Sequence, residues 1–218
     1  MAIPVLAIDG PSGAGKGTVS RAVAKRLGWH YLDSGSIYRS LAIAVLKQKV
    51  ELTDVPEIVK VAQSMALEFE CNDELAVKLN GEDITSQLGL ESTGNAASII
   101  AVLPQVRSVL LQKQKDFKKM PGLVADGRDM GTVVFPDAEI KVFLTASAAE
   151  RAQRRYKQLI EKGIDANLTL LTNEIEERDR RDTERKTAPL SMASDALYID
   201  SSNMTIDEVI EEVLNLIR

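Results

Sequence analysis

Gly10-Pro11-Ser12-Gly13-Ala14-Gly15-Lys16-Gly17-Thr18 lies between an apolar run, Ile3 to Ile8, that ends in Asp9, and a helical pattern from Lys16 to Leu27 that Gly28 stops. A glycine-rich loop in that context lets successive backbone N–H groups turn inward toward phosphate oxygens, and the helix behind it adds its positive dipole end. Lys16 supplies a mobile charge that can reach the terminal phosphates. Gly17 stands where the usual pattern has Ser or Thr, and Thr18 follows one residue later, so a hydroxyl ligand for Mg²⁺ is less secure than in the standard motif. The loop is not a dinucleotide fingerprint, because Gly13-Ala14-Gly15 is followed by Lys16-Gly17-Thr18 with no third glycine in register.

Outward from the loop, the same punctuation repeats. Apolar or β-branched runs occur at Ile3 to Ile8, Trp29 to Leu32, Leu123 to Ala125, Val142 to Leu144 and Leu197 to Ile199, and four of the five end directly in Asp9, Asp33, Asp126 or Asp200. Near-continuous apolar runs separated by helices predict a parallel sheet covered on both faces, with ligands beyond the carboxyl ends of its strands. Helices are expected at Lys16 to Leu27, Ser36 to Lys47, Gln105 to Lys118 after Pro104, and Ile206 to Ile217. Ser147 with Glu150 reads as a capping box for a further helix to about Lys162, closed by Gly163. Between Ala66 and Thr85 the period changes to two, with Leu67, Phe69 and Cys71, then Leu75, Val77 and Leu79, flanking an Asn80-Gly81 turn signal. A small antiparallel β insert at about 60–95 is expected there.

Composition narrows the chemistry. At 218 residues, 44% hydrophobic and 27% charged, the chain reads as one globular domain with an insertion. Runs such as Leu41 to Leu46 fall far short of a bilayer span, and no signal peptide is read at the N-terminus, so neither a membrane nor export is expected. Cys71 and His30 are each alone, which excludes an internal disulfide, argues against an ordinary zinc cage, and points to a reducing cytoplasm. A net charge of -5 argues against nucleic acid as a partner, apart from local arginine clusters.

Those clusters suggest a second anion site. Arg39 follows Asp33-Ser34-Gly35 at the start of a helix, and Arg128 and Asp129 follow the strand ending at Asp126, which places both on the predicted rim. Leu171, Ile175, Arg178, Asp182 and Arg185 are spaced four, three, four and three apart, one stripe whose charged end continues an apolar face inward. Arg180 and Arg181, with Glu176 and Glu177, fall largely on a solvated face, and the plain alternative for Arg178 and Asp182 is an i, i+4 pair. Arg151, Arg154 and Arg155 crowd one helix with no evident acidic partner in the same turn, a pattern that fits a mobile lid gathered by a triphosphate.

Taken together, the loop from Gly10 to Thr18, the segment Asp33 to Arg39, the run Asp126-Gly127-Arg128-Asp129-Met130-Gly131-Thr132-Val133-Val134-Phe135-Pro136-Asp137, and Glu177 to Asp182 followed by Ala188-Pro189-Leu190 resemble bacterial cytidylate kinases. The resemblance covers essentially the whole chain and shares the Gly17 departure. It implies an α/β, P-loop NTPase-type fold: a five-stranded parallel sheet with helices on both faces, lid helices, and the antiparallel insert in the monophosphate-binding region. Chain 1–218 would be a single domain, with a core at about 1–59, 96–147 and 186–218, the insert at 60–95 and the lid at 148–185. By resemblance, Ser34, Arg107 and Asp129 read cytosine, Ser98, Arg178 and Asp182 hold the sugar, and Arg39, Arg128 and Arg185 grip the acceptor phosphate. Gly10 to Thr18 would hold ATP, with Lys16, Arg128, Arg185 and the lid arginines Arg151 and Arg155 acting on the transferring group. The implied reaction moves the γ-phosphate of ATP, as MgATP, to CMP or dCMP in a cytoplasmic monomer, with Thr18 or a water-mediated contact left open for Mg²⁺. Other readings are a P-loop kinase for a different small acceptor such as shikimate, and a GTP switch, which lacks a guanine-reading Asn-Lys-x-Asp segment.

Overall fold

The computed structural model describes residues 2–71, 75–161 and 163–217. Five parallel strands form the main sheet in the order β2 (His30–Asp33), β6 (Leu123–Gly127), β1 (Val5–Asp9), β7 (Ile140–Thr145) and β8 (Leu197–Asp200). Alternation within the strands explains why both faces are covered. Val5 and Ala7 of β1 and Leu123 and Ala125 of β6 point into one core cluster, whereas Leu6, Ile8 and Val124 point into the other. The first is closed by α2 (Ser34–Lys47), α3 (Val55–Ser64), α5 (Glu91–Ile100) and α6 (Pro104–Lys115), the second by α1 (Lys16–Leu27) and α9 (Ile206–Asn215). Register places the strand-ending aspartates together, since Asp33 pairs with Asp126 and Asp9 with Gly127. Asp200 stands apart from them. It lies at the far edge beside Thr145 and caps Ser202, whose backbone N–H and hydroxyl donate to it at 2.9 and 2.6 Å.

The expected helix α1 appears with its stop at Gly28, a left-handed residue whose N–H returns to the carbonyls of Ala24 and Lys25. Helix α2 begins two residues earlier than expected because Asp33 caps it, accepting from the N–H of Ser36 at 2.9 Å. Leu67–Cys71 (β3) and Leu75–Leu79 (β4) pair antiparallel, and Asn80 and Gly81 take the positive φ values, 51° and 83°, that a tight hairpin needs. Glu82–Asp83 (β5) adds a short third strand. This small sheet is no appendage, for Val77, Leu79 and Ile84 are buried in the same cluster as Ile37 and Leu41 of α2.

Three helices, α3, the short α4 (Thr85–Leu88) and α5, lie outside those expected from the sequence. Helix α5, Glu-Ser-Thr-Gly-Asn-Ala-Ala-Ser-Ile-Ile, has weak intrinsic propensity and is held by packing against α2. Helices α7 (Ala148–Glu161) and α8 (Leu168–Glu184) pack on one another outside the sheet. At the start of α7 only half of the capping box forms. Ser147 Oγ accepts from the N–H of Glu150 at 3.2 Å, but the N–H of Ser147 donates to Ser202 and the Glu150 carboxylate is taken by Arg154. Lys162, the expected last residue of this helix, lies outside the described residues. Among the described residues no single helix is long and apolar enough to cross a membrane.

Candidate active site

The loop after β1 is fixed by contacts that glycine alone permits. Gly10 has φ 152°, and a Cβ there would stand 1.9 Å from the carbonyl oxygen of Leu144 on the neighbouring strand. Asp9 reaches across to the segment after β6, accepting from the N–H groups of Met130 and Gly131, each at 2.8 Å. That pair of bonds shapes Met130–Val134 into a single π-helical turn, a distortion often found at functional sites. Burial pushes the Asp9 carboxyl up to about 6 although both backbone N–H groups favour its charged form.

Beyond the carboxyl ends of β1, β2 and β6 lies a cleft of about 370 Å³. Lys16 enters it from the loop, its Nζ donating to the carbonyl of Pro11 at 2.9 Å. Ser34 and Arg39 come from α2, Ser98 from α5 and Arg107 from α6. Arg128 and Asp129 follow β6, while Arg178, Asp182 and Arg185 enter from α8 and its end. All nine residues expected to hold the monophosphate therefore line one cleft, as do Ser12, Gly13, Lys16 and Gly17 of the loop. Gly10, Pro11, Ala14 and Gly15 shape the loop from outside that lining.

The charges are not balanced. Lys16, Arg39, Arg107, Arg128, Arg178 and Arg185 face Asp33, Asp126, Asp129 and Asp182, six cations against four carboxylates in a chain whose net charge is -5. Arg128 Nε donates to Asp182 Oδ2 at 2.7 Å, so Asp182 bonds across to the loop after β6, and the i, i+4 pair with Arg178 is not formed as a hydrogen bond. Burial works against ionising Asp182, yet Arg128 holds its carboxyl below the usual range. Arg178 is pressed down to about 9 by burial and by the guanidiniums of Arg128 and Arg39. Arg178 Nε, Arg185 Nη2 and Ser98 Oγ are buried without a hydrogen-bond partner. Buried orphans of this kind are costly, and their convergence on one cavity indicates an anionic, hydroxyl-bearing ligand.

Asp129 is not the isolated carboxylate that its sequence surroundings suggest. Its Oδ2 accepts from Arg107 Nη2 in a buried ion pair, and its Oδ1 lies 3.6 Å from Arg185. The guanidinium of Arg107 also stands 5.8 Å from the ring centre of Tyr38. Ser34 Oγ donates to Gln114 Oε1 at 2.7 Å. Arg39 donates to the carbonyl of Leu88, and Arg185 Nε to that of Ala188 at 2.5 Å.

The lid arginines are paired, contrary to the expectation of a helix without acidic partners. Arg151 is buried and donates to Asp179 at 2.5 Å, to the carbonyl of Ser12 at 2.9 Å and to that of Ala146 at 2.9 Å, which makes it a brace between α7, α8 and the phosphate loop. Arg154 turns back to Glu150 and to Ser201, while Arg155 bonds Glu91 and the carbonyl of Gly89. Neither Arg151 nor Arg155 lines the cleft. Both line an adjoining hollow of about 200 Å³ that shares Ser12, Gly13, Arg39 and Arg178 with it. On α8, Arg180 is exposed as expected, and pairs with Glu177 and Glu184, but Arg181 is half-buried and reaches Asn95 at 3.3 Å.

Thr18, left open as a ligand for Mg²⁺, is exposed and does not line the cleft. Asp126 is the carboxylate on that side of the cleft. Its Oδ2 accepts from Tyr31 at 2.6 Å, and a Cβ at Gly17 would stand 3.3 Å from Arg21, 3.6 Å from the Tyr31 hydroxyl and 3.8 Å from the same Asp126 oxygen, so glycine fits tightly beside this pair. Burial and the neighbouring Asp33 push the Asp126 carboxyl up, while burial and Arg128 push Lys16 down. Tyr31 and Gln114 carry no signal in the sequence, because their partners Asp126 and Ser34 lie far along the chain.

The chain matches the family model described as cytidylate kinase over residues 6–218. A cytidylate kinase of Aeromonas salmonicida is 57% identical over 97% of this chain and 92% of its own length. One from Methylococcus capsulatus is 56% identical over 99% of this chain and 97% of its own length. Among solved structures, a shikimate kinase from Acinetobacter baumannii in complex with shikimate aligns with 16% identity over 99% of this chain and 93% of that one, with a TM-score of 0.46.

Proposed function

The chain belongs to the cytidylate kinase family, and on that premise we propose that it transfers the γ-phosphate of ATP to CMP or dCMP in the cleft beyond β1, β2 and β6. The observation that carries the reading is the surplus of positive charge there, with Arg178 Nε, Arg185 Nη2 and Ser98 Oγ holding no hydrogen bond. Phosphoryl transfer asks mainly for positioning and charge neutralisation, and an acceptor that is itself a phosphate needs no protein base, because its oxygen is already anionic. The glycine loop cradles the triphosphate and Lys16 meets its terminal oxygens. Arg39, Arg128 and Arg185 hold the acceptor phosphate, while Ser98, Arg178 and Asp182 take the sugar hydroxyls.

Base selection follows from acceptors. Asp129 Oδ2 is occupied by Arg107, which leaves Oδ1 to accept from the N4 amino group of cytosine; uracil would present its O4 acceptor to the same oxygen and be repelled. Mg²⁺ suits the hard oxygen of Asp126 not used by Tyr31, through water, and when bound with ATP it supplies charge neutralisation on the phosphates. Arg155, anchored only at the rim, is the lid arginine able to swing toward the transferring group, whereas Arg151 supports the loop from behind. We place the enzyme in the cytoplasm, acting as a monomer on free nucleotides rather than on nucleic acid.

The test is ADP release from MgATP across CMP, dCMP, UMP, AMP, GMP and shikimate. Turnover confined largely to the cytidine monophosphates is expected. Faster turnover with shikimate or a purine monophosphate, or ADP formation independent of any acceptor, would contradict the assignment.

A further inference from the structure

Gln114 lies on the face of α6 that also carries Arg107 and Leu110, three buried residues at helical spacing. Its side chain is only 2% exposed and does not line the cleft. One end of the amide is fixed by the backbone, for Nε2 donates to the carbonyl of Leu110, one turn earlier, at 3.2 Å. A carbonyl can only accept, so the amide cannot be reversed without setting two oxygens against each other. Oε1 must therefore face Ser34, and Ser34 must donate its hydroxyl proton to it, at 2.7 Å. A serine hydroxyl has one proton. Once that proton points to Gln114, the Ser34 oxygen offers the cleft lone pairs only.

We propose that Gln114 is a specificity-determining positioning residue, which turns Ser34 into an obligate acceptor so that, with Asp129, it selects a base bearing an amino group over one bearing a carbonyl. The inference rests on Ser34 reading the base, as set out above. Cytosine N4 carries two protons and can satisfy Ser34 Oγ and Asp129 Oδ1 together. Uracil O4 would meet two acceptors. Without Gln114 the Ser34 hydroxyl could rotate and donate to O4, relieving half of that repulsion. Gln114 does not line the cleft and acts on the base through Ser34, and the Ser34→Ala background separates that route from one through Tyr38, whose hydroxyl also lies beside Gln114.

Steady-state kinetics with CMP and UMP on Gln114→Leu, Ser34→Ala and the double variant test this. Gln114→Leu is expected to lower the ratio of kcat/KM for CMP over UMP by roughly fivefold or more, chiefly through a lower KM for UMP. In the Ser34→Ala background the same change should leave the ratio unaltered, a coupling that a purely structural role would not produce. Gln114→Glu, which when protonated can donate to the Leu110 carbonyl and still accept from Ser34, should restore the ratio. If Gln114→Leu does not fold, Gln114→Met in the same cycle carries the test with a side chain of similar length. A ratio that Ser34→Ala lowers but Gln114→Leu leaves unchanged overturns the role of Gln114 alone. A ratio that Ser34→Ala leaves unchanged removes Ser34 as a base reader, and the inference with it. A fall that Gln114→Leu causes equally in the Ser34→Ala background would also overturn it.

Discussion

Lys16 is 6% exposed, and its one hydrogen bond is to the loop carbonyl of Pro11, so its removal takes away charge at the phosphates while leaving the packing almost intact. Lys16→Ala should lower kcat by about 10²- to 10³-fold, read as ADP formation, with little change in melting temperature. Near-normal turnover in the folded variant would remove Lys16 from the chemistry. Asp9 has a different signature. Its folded carboxyl titrates near 6 against 3.8 when unfolded, so the stabilisation it gives is full below about pH 3.8 and is lost as pH rises through 6. Asn cannot titrate, and the stability of the unmutated protein relative to Asp9→Asn should fall by on the order of 3 kcal/mol between about pH 4 and about pH 7. Parallel urea melts that keep a constant difference across that range would show that Asp9 does not bind this proton. At this scale the stripe Arg178, Asp182 and Arg185 was legible because helical spacing is local. Arg107 and Ser98 were known only through resemblance. The partner of Arg107, Asp129, is 22 positions away, and Asp179, which occupies Arg151, is 28 away, distances over which spacing says nothing.

The strands of the main sheet and the Asn80-Gly81 hairpin were legible as elements, since short apolar runs closed by polar residues, strict alternation and a turn pair are all local signals. Helix α5 was not, because small polar residues give no periodic signal and its stability comes from α2. Those small residues nonetheless matter, for a Cβ at Gly94 would stand 3.5 Å from both Arg39 and Arg178. The glycine loop makes a sharper case. Gly10→Ala would press a methyl group against the Leu144 carbonyl and force β1 and β7 apart, at a cost of about 3 kcal/mol or more. A melting temperature within a degree or so of the unmutated protein would contradict that packing. Helices α7 and α8 meet the rest of the chain through the buried Arg151 brace and through half-exposed ion pairs such as Arg155 with Glu91, the latter able to break and reform. Hydrogen exchange across α7 should slow when a bisubstrate analogue bridges both sites, and unchanged exchange there would place the moving element elsewhere.

Across the whole molecule, charge is segregated. A chain with a net charge of -5 gathers Lys16 and five arginines around one cleft of about 370 Å³, where burial lowers Arg39, Arg178 and Arg185 below their ordinary range. Arranging uncompensated guanidiniums costs stability that an anionic ligand returns. Within that field Asp129 is the carboxylate with one oxygen hydrogen-bonded to Arg107 and the other, 3.6 Å from Arg185, holding no hydrogen bond and able to read a base. The most direct test is therefore the ratio of kcat/KM for CMP to that for UMP in the unmutated enzyme and in Asp129→Asn, which keeps the shape but can present N–H to uracil O4. The ratio should fall by at least about tenfold, mainly through lost CMP activity. A ratio unchanged by the substitution would mean that Asp129 serves only to hold Arg107, and that cytosine is chosen somewhere other than this cleft wall.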